Sequence, residues 1–384
     1  MQFQIKQQQP KPTIYRILVI LTLFFAGCSD EGEDPAPPSG PPPAIVNIIH
    51  DEFESEKYAV YANSTFRTMV AYNRILEDGT ELDLQPSINA FPIIFEDQEG
   101  NTWDIFGEAT AGPRAGQRLV PTQAMMGYWF SFASFFPIVT IYGEEMNEKL
   151  DSEISGPDWL INQENVFRGA FKDAIPSLDN PVYQSLSGRD LVNPLYVNDE
   201  DLTIVIPDQQ NLKVIPHKVM DWHESLNDNI NGKDVVVGYC PLTGTSTIWN
   251  RALNENVLEF GVSGLLYNNN LILYDRQTDS YWSQILQRSV HGNLIGTDPG
   301  EINVALEMTW AGVKLLDKGG FKLLSENNGF DRNYSIYPYG DYKTNHERLS
   351  FPLTYQDNRI PNKERVLAVI INERSKVYRF EHFK

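Results

Sequence analysis

Cysteine is nearly absent from this chain. Of 384 residues only Cys28 and Cys240 are cysteines, and Cys28 lies at the end of an apolar leader. No disulfide framework can therefore organise the fold, and Cys240 stands as the one thiol of the body. Positive charge is also scarce: 31 Lys and Arg oppose 51 Asp and Glu, for a formal net charge of −20. Such a polyanion repels nucleic acid and anionic lipid head groups, so neither is an expected partner. No apolar run reaches the length of about 20 residues that a membrane-spanning helix requires. Missing too are the HExxH, HxxxH and CxxC metal spacings, the GxSxG elbow, the Walker loop and the dinucleotide fingerprint. Zincin, lipase-like and nucleotide-dependent chemistries are thereby disfavoured.

Residues 1–28 have the three parts of a bacterial export signal. Lys6, Lys11 and Arg16 form a basic start, Ile17 to Ala26 an apolar core, and Ala26-Gly27-Cys28 two small residues before a cysteine. This resembles a lipobox, with Phe25 where Leu is usual, and predicts acylation of Cys28 as the first residue of the mature protein. The stretch 29–44, SDEGEDPAPPSGPPPA, is acidic and then Pro-rich; it cannot bury a core and would act as an extended tether. An acidic run directly after the lipidated cysteine resembles the surface-export signal of lipoproteins of the Bacteroidota. The expected location is the outer membrane, anchored through the lipid and displayed at the cell surface. Loss of the leader leaves 28 basic against 51 acidic residues. That excess supports solubility first and cation handling second.

The body is strand-rich. Short β-branched and aromatic runs such as DVVVGYC, TSTIWNR, NLILYDR and RVLAVII alternate with turn residues. The composition predicts a β-dominated α+β protein with a few short helices. Pro216 to Asp228 is one helix candidate, with Val219, Trp222, His223 and Leu226 on one face; Ala124 to Phe136 is another, apolar nearly all round. NDNINGKD looks like a fragment of a calcium loop but lacks the terminal Glu, and a tight hairpin turn explains it better.

One internal echo bears on domain organisation. FEDQEGNTW leads to Trp103 and then to Gly112 and Gly116; YDRQTDSYW leads to Trp282 and then to Gly292 and Gly296. The expectation is two similar β-rich halves, a unit over 45–150 and a second over 171–384, joined around Glu144 to Asp173. Chance similarity between hairpins is the alternative.

Chemically capable residues concentrate between Asp221 and Gln284. Cys240 ends an apolar strand before Pro241 and Gly244, a junction that suits a nucleophile or a soft metal ligand, and equally a buried structural cysteine. On a helix His223 and Asn227 would share a face, with Glu224 and Asp228 beside them. Three readings follow. Cys240, His223 and Glu224 would hold a copper or zinc ion or frame a ligand site. Cys240 as nucleophile with His223 as base and Asn227 as orienter would make a thiol enzyme. The third is a structural partner in an envelope protein complex. Asp275, Arg276, Trp282, Gln284 and Tyr339 are further ligand-binding candidates. For the first two, pairing of Asp275 with Arg276 across a hairpin is the structural alternative.

From Phe171 onward the chain resembles the domain-of-unknown-function 3179 family. The resemblance is carried by FKDAIPSLDNPVY, DWHESLND, GYCPLTGT, FGVSGLLYNNNLILYDRQTDSYWSQ, RNYSIYPYGDY and RIPNKERVLAV, with NTWDIFGEATAGPRAGQRL upstream. It brings no established activity. Members often read CPLCG where this chain has Cys240-Pro241-Leu242-Thr243-Gly244. Thr243 thus rules out a two-cysteine redox cycle or a two-thiolate clamp here.

Overall fold

The computed structural model describes residues 46–384 except 137, 145–146, 149–157, 188–195, 254, 300–301, 304 and 317–318. The leader, Cys28 and the tether lie outside the described residues. Strand accounts for 44% of the protein and helix for 7%, which makes it β-dominated with a few short helices.

Among the described residues six sheets of three or more strands carry the fold, beside a two-stranded ribbon of Ala252–Leu253 and Asn256–Val257. Sheet I is the meander Val46–Phe53, Glu56–Asn63 and Thr68–Asn73. Sheet II joins Gln85–Pro86, Ile93–Glu96, Thr102–Asp104 and Ala109–Ala111. Sheet III is built from both ends of the body: Ala124–Tyr128 pairs with Arg365–Ile371, and Ile138–Ile141 pairs with Arg374–Arg379. Sheet IV centres on Leu202–Asp208 and Asn211–Pro216, flanked by Leu306–Thr309 and Phe321–Leu324. Sheet V holds Ser225–Ile230, Lys233–Cys240 and Thr245–Asn250. Sheet VI runs Val166–Arg168, Phe260–Tyr267, Asn270–Asp275, Tyr281–Ser283 and Arg288–His291.

The sheets bury apolar side chains against one another, and the cores show how. One core joins sheets I, II and IV through Tyr61, Phe95 and Val214. The next joins IV to V through Ile204, Ile215, Leu226 and Val237. Sheets V and VI meet over Val236, Trp249, Leu273 and Trp282. Ile285 and Tyr267 of the sheet VI region pack on Met125, Val366 and Val377 of sheet III. Sheet III closes on sheet I through Val60, Met126, Leu367 and Tyr378. Face-to-face packing that returns to its start is the logic of a propeller, and the arrangement is a six-bladed β-propeller.

The ring is one compact body rather than two separate units. Residues Pro43–Lys384 form one compact unit, and the strands at Ala124 and Ile138 belong to the same sheet as the C-terminal pair. A separate 45–150 unit would leave sheet III without its Arg365–Ile371 and Arg374–Arg379 strands. What recurs at the residues of the echo is a hairpin motif. Trp103 donates its indole N–H to Asp97 at 2.8 Å and Trp282 donates to Asp275 at 2.9 Å. Gly112 and Gly116, like Gly292 and Gly296, have positive φ. A Cβ at Gly112 would lie 2.7 Å from the Asn101 backbone, and one at Gly292 would lie 2.8 Å from that of Ser280. The echo thus places the same hairpin motif in sheet II and in sheet VI.

Both helix candidates need correction. Over 216–228 only His217–Met220 is helical; a turn follows, Glu224 takes φ +57°, and a strand starts at Ser225. Over 124–136 the first five residues are a strand paired to Arg365–Ile371, and only Trp129–Phe135 is helix. The hairpin reading of NDNINGKD holds: Asn231 and Gly232, at φ +53° and +77°, link Ile230 to Lys233. Positive φ at both loop residues marks a type I′ turn, for which Asn-Gly is the preferred pair.

Candidate functional site

The segment after the short helix sets the site. Asp221 closes His217–Met220, its N–H bonded to the His217 carbonyl at 2.7 Å. Glu224 then turns the chain in the left-handed region. Its N–H donates to Met220 O and its carbonyl accepts from Tyr239 N–H, both at 2.8 Å. These bonds hold a residue that is costly there by about 1–3 kcal/mol. Two carboxylates thus project beside the end of the Lys233–Cys240 strand.

Residues 325–364, which carry no helix or strand, form a strap across this corner. A stretch so long without regular structure is usually functional when it lies in a compact domain. Its tyrosines fasten it. Tyr334 OH lies 2.7 Å from His223 Nε2, Tyr337 OH donates to Pro241 O at 3.3 Å, and Tyr339 OH donates to Glu224 Oε1 at 2.7 Å. Lys343 Nζ donates to Asp221 Oδ2 at 2.9 Å, and Trp222 Nε1 donates to Ile336 O at 3.0 Å. Lys363 pins the far end by donating to Tyr342 O and Asn345 O, each at 2.6 Å, and to Arg348 O.

The electrostatics of the corner are unusual. Burial pushes the Glu224 carboxyl up to about 7 against the opposing Tyr339 bond, and the neighbouring Asp221 adds to the rise. Burial also raises Asp221, with Lys343 as the main counterweight. Tyr239 lies close enough to Asp221 to favour its ionised form, but no donor meets hydrogen-bond geometry at Asp221 Oδ1. Behind them Glu307 accepts from Arg365 at 2.7 Å and touches His217 Nε2 at 3.0 Å, a contact without hydrogen-bond alignment. Burial disfavours the Glu307 charge, yet Arg365 and then His217 outweigh it and hold the carboxyl at about 2. Residues of sheets III, IV and V therefore meet here: Arg365, Glu307, and Tyr239 with Glu224.

Cys240 and His223 do not form the expected pair. Cys240 is 1% exposed, its Sγ faces the Asn269 carbonyl at 3.5 Å, and burial pushes its thiol up to about 11. A low-pKa thiolate is what nucleophilic work requires. His223 has no exposed surface, and both ring nitrogens are engaged. Pro176 O can only accept, so Nδ1 at 2.8 Å carries the hydrogen and Nε2 accepts from Tyr334. Burial lowers its pKa and keeps this tautomer neutral. Asn227 orients no histidine. It donates to Asp179 and Phe260 O at 2.7 Å and accepts from Phe260 N–H at 3.0 Å, stitching sheet V to sheet VI. Among the described residues no group of three His, Cys, Asp or Glu could hold a metal ion, so Cys240, His223 and Glu224 do not converge as a copper or zinc site.

The other candidates divide. Asp275, Trp282 and Gln284 are fully buried. Gln284 accepts from Thr245 Oγ1 and Asn270 and donates to Gly238 O and Thr245 O, which saturates its amide. All three spend their polar groups on partners within the protein. The Asp275–Arg276 pairing is replaced by Asp275 with Trp282 and Arg276 with Asp179 at 3.0 Å. Tyr339 and Glu224 do meet, in the corner just described. Sequence reasoning passed over Asp221, His217, Glu307, Lys343 and Arg365. Asp221 stood inside DWHESLND and Arg365 inside RIPNKERVLAV, and Lys343 directly follows the tyrosine segment, so proximity to those motifs was the available signal.

No curated protein matches the chain, and no solved structure does. A family model described as "Protein of unknown function (DUF3179)" matches residues 44–139 and 172–384. These spans take in most of the chain and every motif of the corner, so the chain belongs to that family.

Proposed function

We propose that this protein is an exported, lipid-anchored β-propeller that binds a small ligand at the Asp221–Glu224 corner beneath the tyrosine strap. The observation that carries the reading is the state of the two acids. Both are buried beneath the strap and pushed toward the neutral form, and at Asp221 Oδ1 no donor meets hydrogen-bond geometry although Tyr239 lies close. A buried unpaired acceptor costs about 1–3 kcal/mol, a cost that a ligand donating to it removes. Perturbed carboxyls beside a specific charge partner are characteristic of working sites. The corner takes the place of Cys240 and His223 as the centre of the site.

The test is thermal stability of the mature chain against a panel of neutral sugars, polyols, carboxylates, amino acids and alkylammonium salts, repeated on Asp221→Asn and Glu224→Gln. A compound that raises the melting temperature of the wild type, but of neither variant, supports the reading. Responses that survive both substitutions place the ligand elsewhere and sink it.

Location is part of the same proposal. The lipobox-like Ala26-Gly27-Cys28 and the acidic run after it support acylation at Cys28 and outward display at the outer membrane. Acyl chains contribute about 0.8 kcal/mol per buried methylene, so several chains anchor firmly. Cys28→Ser should release a folded protein into the soluble fraction, and protease added to intact cells should degrade the wild type. Full protection with membrane retention would turn the protein toward the periplasm. Partnership in an envelope complex remains compatible with this placement, and crosslinking from intact cells tests it.

A further inference from the structure

A cation from the chain itself occupies the corner. Lys343 Nζ lies 2.9 Å from Asp221 Oδ2 and 4.0 Å from the centroid of the Tyr337 ring. An ammonium held between a carboxylate and an aromatic face is a recurrent recognition chemistry for cationic ligands.

Two features make Lys343 an occupant rather than a fixed strut. The Lys343 side chain is 34% exposed while that of Asp221 is 3% exposed, so the acid belongs to the core and the cation to the strap. The acid is also only half used. Asp221 Oδ1 is buried without a donor although Oδ2 is bonded. Among the described residues other lysines over rings lack this combination. Lys213 lies over Tyr183 and pairs with Asp228, whose side chain is 9% exposed, but Asp228 Oδ1 accepts from the Asn229 N–H. Lys172 lies over Tyr274 but pairs with Asp279, whose side chain is 65% exposed. Lys363 lies over Tyr342 but donates to backbone carbonyls.

Resting on the reading of this corner as a ligand site, we propose that Asp221 and Tyr337 form a binding site for primary ammonium groups, closed in the free protein by Lys343. A ligand ammonium displaces Lys343 and donates to both Asp221 oxygens. A quaternary ammonium, with no N–H, cannot satisfy Oδ1.

The experiment uses the mature chain and two probes at equal ionic strength, n-butylammonium chloride and tetramethylammonium chloride. If Lys343 vacates the acid about a tenth of the time, its removal should tighten n-butylammonium binding about tenfold. Calorimetry on Lys343→Ala should show that gain for n-butylammonium and none for tetramethylammonium, and Asp221→Asn in the same background should abolish it. Lys343→Met, which keeps the stem over Tyr337, serves if the alanine variant is unstable. A measurement on the wild type is independent of either: the Lys343 Cε NMR signal should move to its solvent-exposed position as n-butylammonium is added. Equal affinity in wild type and Lys343→Ala, or binding indifferent to Asp221→Asn, overturns the proposal. Loss of ammonium binding alongside an Asp221-dependent response to another panel compound would sink this inference and leave the ligand site standing.

Discussion

Tyr339 donates its hydroxyl to Glu224 at 2.7 Å, and that bond ties the strap to a carboxyl that burial holds near neutrality. Its consequences are measurable in stability, reactivity and titration.

Glu224 makes the fold pH-dependent with a definite sign. Its folded pKa of about 7 lies above the ordinary value of 4.5. Below 4.5 both states are protonated and no penalty exists. As pH rises to about 7 the unfolded chain ionises first, so stability falls, and above 7 the loss is constant at about 3 kcal/mol. Asp221 shifts in the same direction. The buried histidines His217 and His223, lowered by burial, act oppositely. The difference between Glu224→Gln and wild type isolates the effect. The variant should match wild type in thermal stability at pH 4 and exceed it at pH 8. A constant difference across that range refutes the assignment.

Tyr339→Phe should act on the same titration. Its bond favours the ionised carboxylate, so its removal should move the Glu224 midpoint above 7 and cost about 1–2 kcal/mol at pH 8. An unchanged midpoint would mean that the strap does not reach the acid in solution.

The strand content was legible in the sequence, and so was the Asn231-Gly232 turn, because period-two runs and turn chemistry are local signals. The ring was not. Sheet III pairs Ala124–Tyr128 with Arg365–Ile371, and nothing local in either segment announces a partner so distant in sequence. The misread helix is instructive. Val219 and Leu226 do share one core, so their spacing reported common burial correctly, but a left-handed Glu224 delivered it through a turn and a strand. Cys240 and His223 drew notice by residue type; burial, which no motif shows, removed them from the chemistry. The corner assembles from DWHES, GYCPL, the tyrosine segment and KERV. Each was visible alone, and only the fold brings them together.

Cys240 should be inert in the folded protein. With its thiol pushed up to about 11 and 1% exposed, it should react with iodoacetamide at pH 7 only after unfolding. His223→Ala should destabilise by about 2–4 kcal/mol, because Pro176 O and Tyr334 OH lose their shared partner. Rapid native labelling that slows in His223→Ala would restore the thiol-base pair.

Asp97 and Asp275 play the same part in separate sheets. Asp97→Ala and Asp275→Ala should each cost about 1–3 kcal/mol by stranding a buried indole N–H. With no shared partner the two losses should add to within about 0.5 kcal/mol in the double variant. Denaturant melts of the set test both statements, and a silent single variant would contradict the motif.

The most direct measurement is the titration of Glu224 itself, followed through its side-chain carboxyl carbon by NMR in protein labelled at glutamate and assigned by loss of the signal in Glu224→Gln. A midpoint near 7, moving upward in Tyr339→Phe, is expected of a buried acid held beneath the strap. A midpoint near the ordinary 4.5, indifferent to Tyr339, would contradict the corner as the working site of this protein.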